Sequence, residues 1–190
     1  GPAIAHTLVS FGFDDGRYVT FSVEIRKQRD EAFSEVGGFF KQFELGIVAA
    51  DERDIVRVRS NIRGEDVYLY RIDMSQATMR SLFLAYVGEA NRLAAAPRFY
   101  HTLTVNCTTL IYQMMTRIVA GLPLDYRLLL SGYLPSYIRD VGGLDNRHTL
   151  AQLRALGRIT LRARAADRRP DFSAAIREGI PALPLPGDAK

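Results

Sequence analysis

Residues 3–27 read AIAHTLVSFGFDDGRYVTFSVEIRK, two runs of strong β formers on either side of Asp14, Asp15 and Gly16. A three-residue loop that begins as a type I turn and closes on glycine in the left-handed region is a favoured junction between antiparallel strands. It makes Phe13 and Arg17 partners, and counting inward pairs Phe11 with Val19, Val9 with Phe21, Thr7 with Val23 and Ala5 with Ile25. The odd positions then form an almost wholly apolar face. The even face carries His6, Leu8, Ser10, Tyr18, Thr20, Ser22, Glu24 and Arg26. Slipping one strand by a single residue would set apolar side chains opposite polar ones, so the segregated register is expected. It places His6 directly across from Glu24, roughly 5 Å apart at the Cβ atoms.

Beyond the hairpin, residues 31–53 are mixed in period and broken by Gly37 and Gly38, the pattern of a loop or short helix covering a sheet edge. DIVRVRSNI (54–62) and EDVYLYRID (65–73) alternate apolar with polar and predict two further strands joined around Asn61 to Gly64. Ser75 caps a predicted helix from Gln76 to Ala95, with Met79, Leu82, Phe83, Tyr86, Ala90 and Leu93 as its apolar stripe and Pro97 as its stop. A second helix is predicted from Cys107 to Ala120, striped by Leu110, Ile111, Met114, Met115 and Ile118 and ended by Gly121. Short helices and turns follow, then an arginine-studded helical segment or two. The whole is expected to form one α+β domain over residues 1–178, followed by a proline-rich tail over 179–190.

The 190 residues, 47% of them hydrophobic, suffice for one substantial core. A single cysteine excludes an internal disulfide framework. The net charge of +4 comes almost wholly from arginine dispersed among acids, since Lys27, Lys41 and Lys190 are the lysines. With no RNA-binding aromatic motif, helix-turn-helix or zinc-finger spacing, nucleic acid is not an expected partner. No apolar run nears the roughly 20 residues that span a bilayer. The chain begins inside a strand, and Gly1-Pro2 has the look of a tag-cleavage scar, so a longer protein with its targeting segment upstream is expected.

Cys107 sits between Asn106 and Thr108-Thr109 at the predicted helix start. That end of a helix offers unpaired N–H groups and a partial positive charge, both favouring thiolate. The Cys107 and Thr108 amides and the Asn106 side chain are candidate oxyanion donors, and Tyr100 and His101 are candidates to line the site. The alternative is an inert core thiol, but polar flanks suit a hydrophobic hole poorly. His6 is the candidate base and Glu24 its orienter, giving a nucleophile–base–orienter set if the helix start packs near the hairpin. His148 lies among arginines and reads as a surface residue. Three histidines and one cysteine without ligand spacing argue against a structural metal, and nothing warrants a cofactor.

Taken together, AHTLVSFGF, SVEIRK, VYLYRIDMS, FYHTLTVNCTTLIYQ and DYRLLLSGYLP resemble the N-terminal periplasmic domain family of Lnb-type proteins, over Ile4 to Arg177. The resemblance implies a circularly permuted papain-like thiol hydrolase of the NlpC type, in which the histidine strand precedes the cysteine helix. It implies Cys107 as nucleophile, His6 as base and a periplasmic or cell-envelope location. Glu24 as third member is an inference from the hairpin register. Relatives are associated with moving acyl chains within lipoproteins, and other NlpC-type enzymes cut peptidoglycan amides. The expected substrate is thus a lipoprotein, lipid or peptidoglycan-derived group. A peptidoglycan peptidase and a non-catalytic envelope binding module are the rival readings. The arginines from Arg147 to Arg169 either meet anionic headgroups at a membrane surface or form a solvated helix face.

Overall fold

The computed structural model describes residues 3–26, 44–98 and 107–183. It is an α+β arrangement with a three-stranded antiparallel sheet of order β1-β2-β3. β1 (Leu8–Gly12) and β2 (Tyr18–Arg26) form the expected hairpin. Phe13 N donates to Arg17 O and Gly16 N to Phe13 O, each at 2.9 Å, closing the turn on the predicted pair. Gly16 takes φ +79°, a conformation that costs glycine nothing and a side chain much.

The third strand lies where a loop or short helix was expected. Residues 27–43, with Gly37 and Gly38, lie outside the described residues, but Glu44–Asp51 forms β3. β2 is therefore the central strand, and Thr20, Phe21, Ser22 and Val23 are all buried, so its even face is covered as well as its odd one.

The predicted strand at 54–62 is helical. Asp51 Oδ1 accepts from Arg53 N at 2.8 Å and caps α1 (Glu52–Arg57), which runs on into a π-helical turn, Val58–Ile62. The buried positions Glu52, Val56 and Ser60 fall four apart, a helical stripe that the surface alternation masked. Residues 65–73 join no sheet; they make one antiparallel bridge, Tyr68 to Arg158. Leu69 N donates to Gly157 O there, and a Cβ on Gly157 would lie 2.4 Å from Leu69 O, so glycine permits the approach.

α2 (Gln76–Ala95) matches its prediction, with Ser75 Oγ accepting from Thr78 N at 3.1 Å. Leu82, Tyr86 and Leu93 are buried, whereas Met79 is exposed. The buried Glu89 on the same stripe is neutralised by Arg92 and Arg98 at 2.6 and 2.9 Å. α3 (Cys107–Met115) ends sooner than expected: Thr116 Oγ1 takes up Gln113 O, and three-residue turns lead to Gly121. Short helices complete the chain as α4 (Leu134–Asp140), α5 (Leu150–Gly157), α6 (Thr160–Ala165) and α7 (Phe172–Ala175).

Contacts divide the chain into two compact units. The first comprises Gly1–Phe11, Phe21–Ala49 and Ser75–Tyr137, and the second Gly12–Thr20, Ala50–Met74 and Ile138–Lys190. The first is centred on an aromatic cluster. Phe21 stacks on Tyr86 at 4.7 Å, and Phe11 meets Phe83 edge-on at 5.4 Å. The second packs Val56, Ile159, Ala163, Phe172 and Ile176 around a buried ion pair. Both Glu52 oxygens accept from Arg177, at 2.6 and 2.7 Å, and the guanidinium lies 3.8 Å from the Tyr18 ring centre. Asp145, also buried, accepts from the backbone and guanidinium of Arg147, which in turn donates to Ala182 O.

Two outcomes follow. Arg177→Met strands the Glu52 carboxylate and is expected to cost about 3–5 kcal/mol in urea unfolding, while the double change Glu52→Leu/Arg177→Met recovers most of the loss. The Arg147 guanidinium holds the Asp145 carboxyl far below the usual carboxylate range. A depressed folded pKa gives stability that is complete above the unfolded value of about 3.9 and lost as pH falls further. Asp145→Asn should lower stability at pH 7 and flatten the dependence below about pH 4, as read by thermal unfolding across pH.

Candidate active site

His6 lies just before β1 and is held from behind. Ser131 Oγ accepts from Ala5 N at 2.8 Å and donates to Ala5 O at 2.5 Å, and Gly132 N donates to Ala3 O. These bonds fix the extended backbone on both sides of Ile4, so the hairpin register delivers the imidazole to its expected place. His6 Nε2 lies 3.1 Å from Glu24 Oε1, the pairing that the count from Phe13 and Arg17 predicts.

Between them stands Ser22, whose part the sequence did not reveal. Its Oγ is 2.7 Å from His6 Nε2 and 2.5 Å from Glu24 Oε1, and the residue is 1% exposed. An ionised carboxylate accepts and cannot donate, so the single hydroxyl proton of Ser22 goes to Glu24. Ser22 Oγ then accepts from His6 Nε2–H. The consequence is a ring whose Nε2 carries the proton, which in the neutral imidazole leaves the lone pair on Nδ1, the arrangement a base needs. The even-face position of Ser22, beside Glu24 on the same face of β2 and diagonal to His6, was the available signal. Its burial was hidden until β2 proved central.

Cys107 is the first residue of α3 and is half-buried. Its Sγ lies 3.8 Å from Thr108 Oγ1, with Thr108 itself buried. Burial pushes the Tyr86 phenol well above its ordinary range, and the nearby Cys107 adds to the effect. The Tyr86 ring is the one stacked on Phe21, the neighbour of Ser22 in β2. Thiol and imidazole thus belong to one packed unit, but they are not hydrogen-bonded to each other. Tyr100, His101 and Asn106 lie outside the described residues.

The remaining candidates take structural places. His148 Nδ1 lies 3.3 Å from Asp145 Oδ2. Within the arginine-rich segment, Arg147, Arg158 and Arg169 are paired with Asp145, Asp66 and Asp171, and Arg154 lies over the Tyr68 ring. Among the described residues, no group of three or more His, Cys, Asp or Glu could hold a metal ion, and no helix is long and apolar enough to cross a membrane.

Ser22→Ala removes the bridge at a buried site and should cost about 1.5–3 kcal/mol in urea unfolding. In NMR spectra, a His6 Nε2 proton protected from exchange is expected in the parent and absent from the variant. Protection that survives the change would show that Glu24 alone holds the ring.

No curated protein and no solved structure matches the chain. A family model, the Lnb N-terminal periplasmic domain, matches residues 1–132, a span that includes His6, Ser22, Glu24 and Cys107. The chain belongs to the Lnb N-terminal periplasmic domain family and is a domain of the bacterial periplasm.

Proposed function

We propose that this domain is a thiol-dependent acyltransferase or amide/ester hydrolase built on a papain-like plan, acting on lipoprotein or lipid acyl groups of the envelope. The observation that carries the reading is the His6–Ser22–Glu24 set, which occupies Nε2 and leaves Nδ1 as the basic nitrogen. Cys107 gives its proton to Nδ1 and attacks a carbonyl carbon. The bond to the leaving nitrogen or oxygen breaks, and His6 returns the proton to that atom. Water, or an acceptor amine or hydroxyl, then resolves the thioester by the same proton route. The amides at the start of α3 face the developing oxyanion, where each donor is worth about 3–4 kcal/mol.

Glu24 keeps a negative charge beside the ring and stabilises the imidazolium formed during attack. The imidazole must close on Sγ for the first step, a tightening that substrate-free geometry commonly leaves incomplete. One observation favours a second reading. A thiol that is not hydrogen-bonded to its base suits an envelope module that binds acylated partners without catalysis.

Alkylation of Cys107 by iodoacetamide across pH separates the two, with folding checked by circular dichroism. In the catalytic reading the parent reacts readily below pH 7, and His6→Ala slows that reaction by roughly 10²-fold or more. A thiol that reacts only above about pH 8.5, or equally in both proteins, would leave the binding module.

A further inference from the structure

The imidazole stands just outside the sheet that carries its partners. β1 begins at Leu8, so His6 lies ahead of the strand. Ser22 and Glu24 hold the ring, and the backbone that presents it is held by a different segment. There the hydroxyl of Ser131 accepts from Ala5 N at 2.8 Å and donates to Ala5 O at 2.5 Å. One side chain thus does for Ala5 what a neighbouring strand would do, satisfying both of its backbone groups. Gly132 N adds a bond to Ala3 O at 3.0 Å.

Ser131 is in turn tied to the helix that bears the thiol. It opens the second of two 3-10 turns, Tyr126–Leu128 and Ser131–Tyr133, which pack on each other, and the first of them packs on α3. Tyr112, further along α3 than Cys107, donates from its hydroxyl to Leu122 O at 3.1 Å, where the segment begins. Leu128, 2% exposed, anchors the first turn. Arg127 closes off Asp125, donating to its two oxygens from backbone N, Nε and Nη2 at 2.8–2.9 Å. Tyr137 OH donates to Pro123 O at 2.9 Å, and Ser136 Oγ to Tyr133 O at 2.7 Å. The segment is therefore bonded at its start, its middle and its end, all within the first unit.

A continuous path of bonds and packing thus runs from α3 through Leu122–Tyr133 to Ala5, the residue before His6. Cys107 and His6 lie far apart in the chain and share no hydrogen bond, so their spacing depends on what joins their two segments. We propose that Ser131 is a positioning residue for the thiol chemistry, holding His6 at its working place relative to α3 through the Leu122–Tyr133 brace. The role rests on the function proposed above. Ser131 acts through the backbone of Ala5, and its hydroxyl serves because it donates and accepts at once. Proton transfer is sensitive to such support, since a misplacement of about 1 Å can cost about 10²-fold.

The test is alkylation of Cys107 by iodoacetamide across pH in Ser131→Ala and Ser131→Thr, beside the parent and His6→Ala, with folding checked by circular dichroism. Below pH 7 the reaction depends on the imidazole, and Ser131→Ala should slow it by about tenfold or more. Above about pH 9 the thiol ionises unaided, so the variant should match the parent there. Ser131→Thr keeps the hydroxyl and should restore the rate at low pH. Thr116→Ala removes another hydroxyl-to-carbonyl bond of the first unit and should leave the whole curve unchanged. Tyr112→Phe frees the far end of the brace and should give the same pH-selective loss, which keeps the test decisive if Ser131→Ala does not fold. A Ser131→Ala or Tyr112→Phe curve that follows the parent overturns the proposal. So does a loss that is equal at every pH, or one that Ser131→Thr does not restore. A parent thiol indifferent to His6 sinks the thiol chemistry and the positioning role with it. A His6-dependent thiol indifferent to Ser131 sinks the positioning role alone.

Discussion

The register of the first hairpin is the constraint on which the site and the first unit's core both depend. Gly16 in the left-handed region closes a three-residue loop and makes Phe13 and Arg17 partners. From that point the alternation of the strands leaves no freedom. Phe11 and Phe21 go to the face covered by Phe83 and Tyr86, and His6, Ser22 and Glu24 go to the other. A slip of one residue would exchange the two sets, losing the aromatic cluster and the imidazole's partners in one step. The ring's orientation is thus set by a turn far from it along the strands, with Ser131 holding the other end.

Several buried polar groups among the described residues are answered by partners. Glu52 is met by Arg177, Glu89 by Arg92 and Arg98, and Ser22 by His6 and Glu24. Each would cost several kcal/mol if left alone in a medium that screens poorly. Paired, they fix geometry more than they add stability. Arg177 satisfies both Glu52 oxygens while its guanidinium lies 3.8 Å from the Tyr18 ring centre, which ties the start of β2 to the last helical turns of the second unit. Ser22 does the same for the ring on a smaller scale. Its one proton has one acceptor, so the direction of every bond in the set is determined.

Some of this was legible in the residues. The hairpin, its register, the His6–Glu24 pairing and the Ser75 cap are local, governed by turn chemistry, period and capping within a few residues of each other. The failures were also physical. Residues 54–62 alternate like a strand, but Asp51 caps them and the acids Glu52 and Asp54 favour a helix start, while burial of Glu52, Val56 and Ser60 selects the period of four. A charged residue in the core defeats a pattern reading that counts it as polar. Glu52 becomes a core residue only because Arg177 arrives from the far end of the chain.

The sequence by itself determined the family, the α+β class and which side chains face one another across the first hairpin, because those follow from short-range periodicity and motif spacing. Tertiary structure alone decided that β3 pairs with β2, making it the central strand, and that Ser22 is thereby sealed from water. It likewise decided that the Tyr86 ring stacks on Phe21 at the centre of the first unit. The reason is that strand pairing and burial join segments tens of residues apart. Their free energy depends on what each segment meets, and no window along the chain contains both partners.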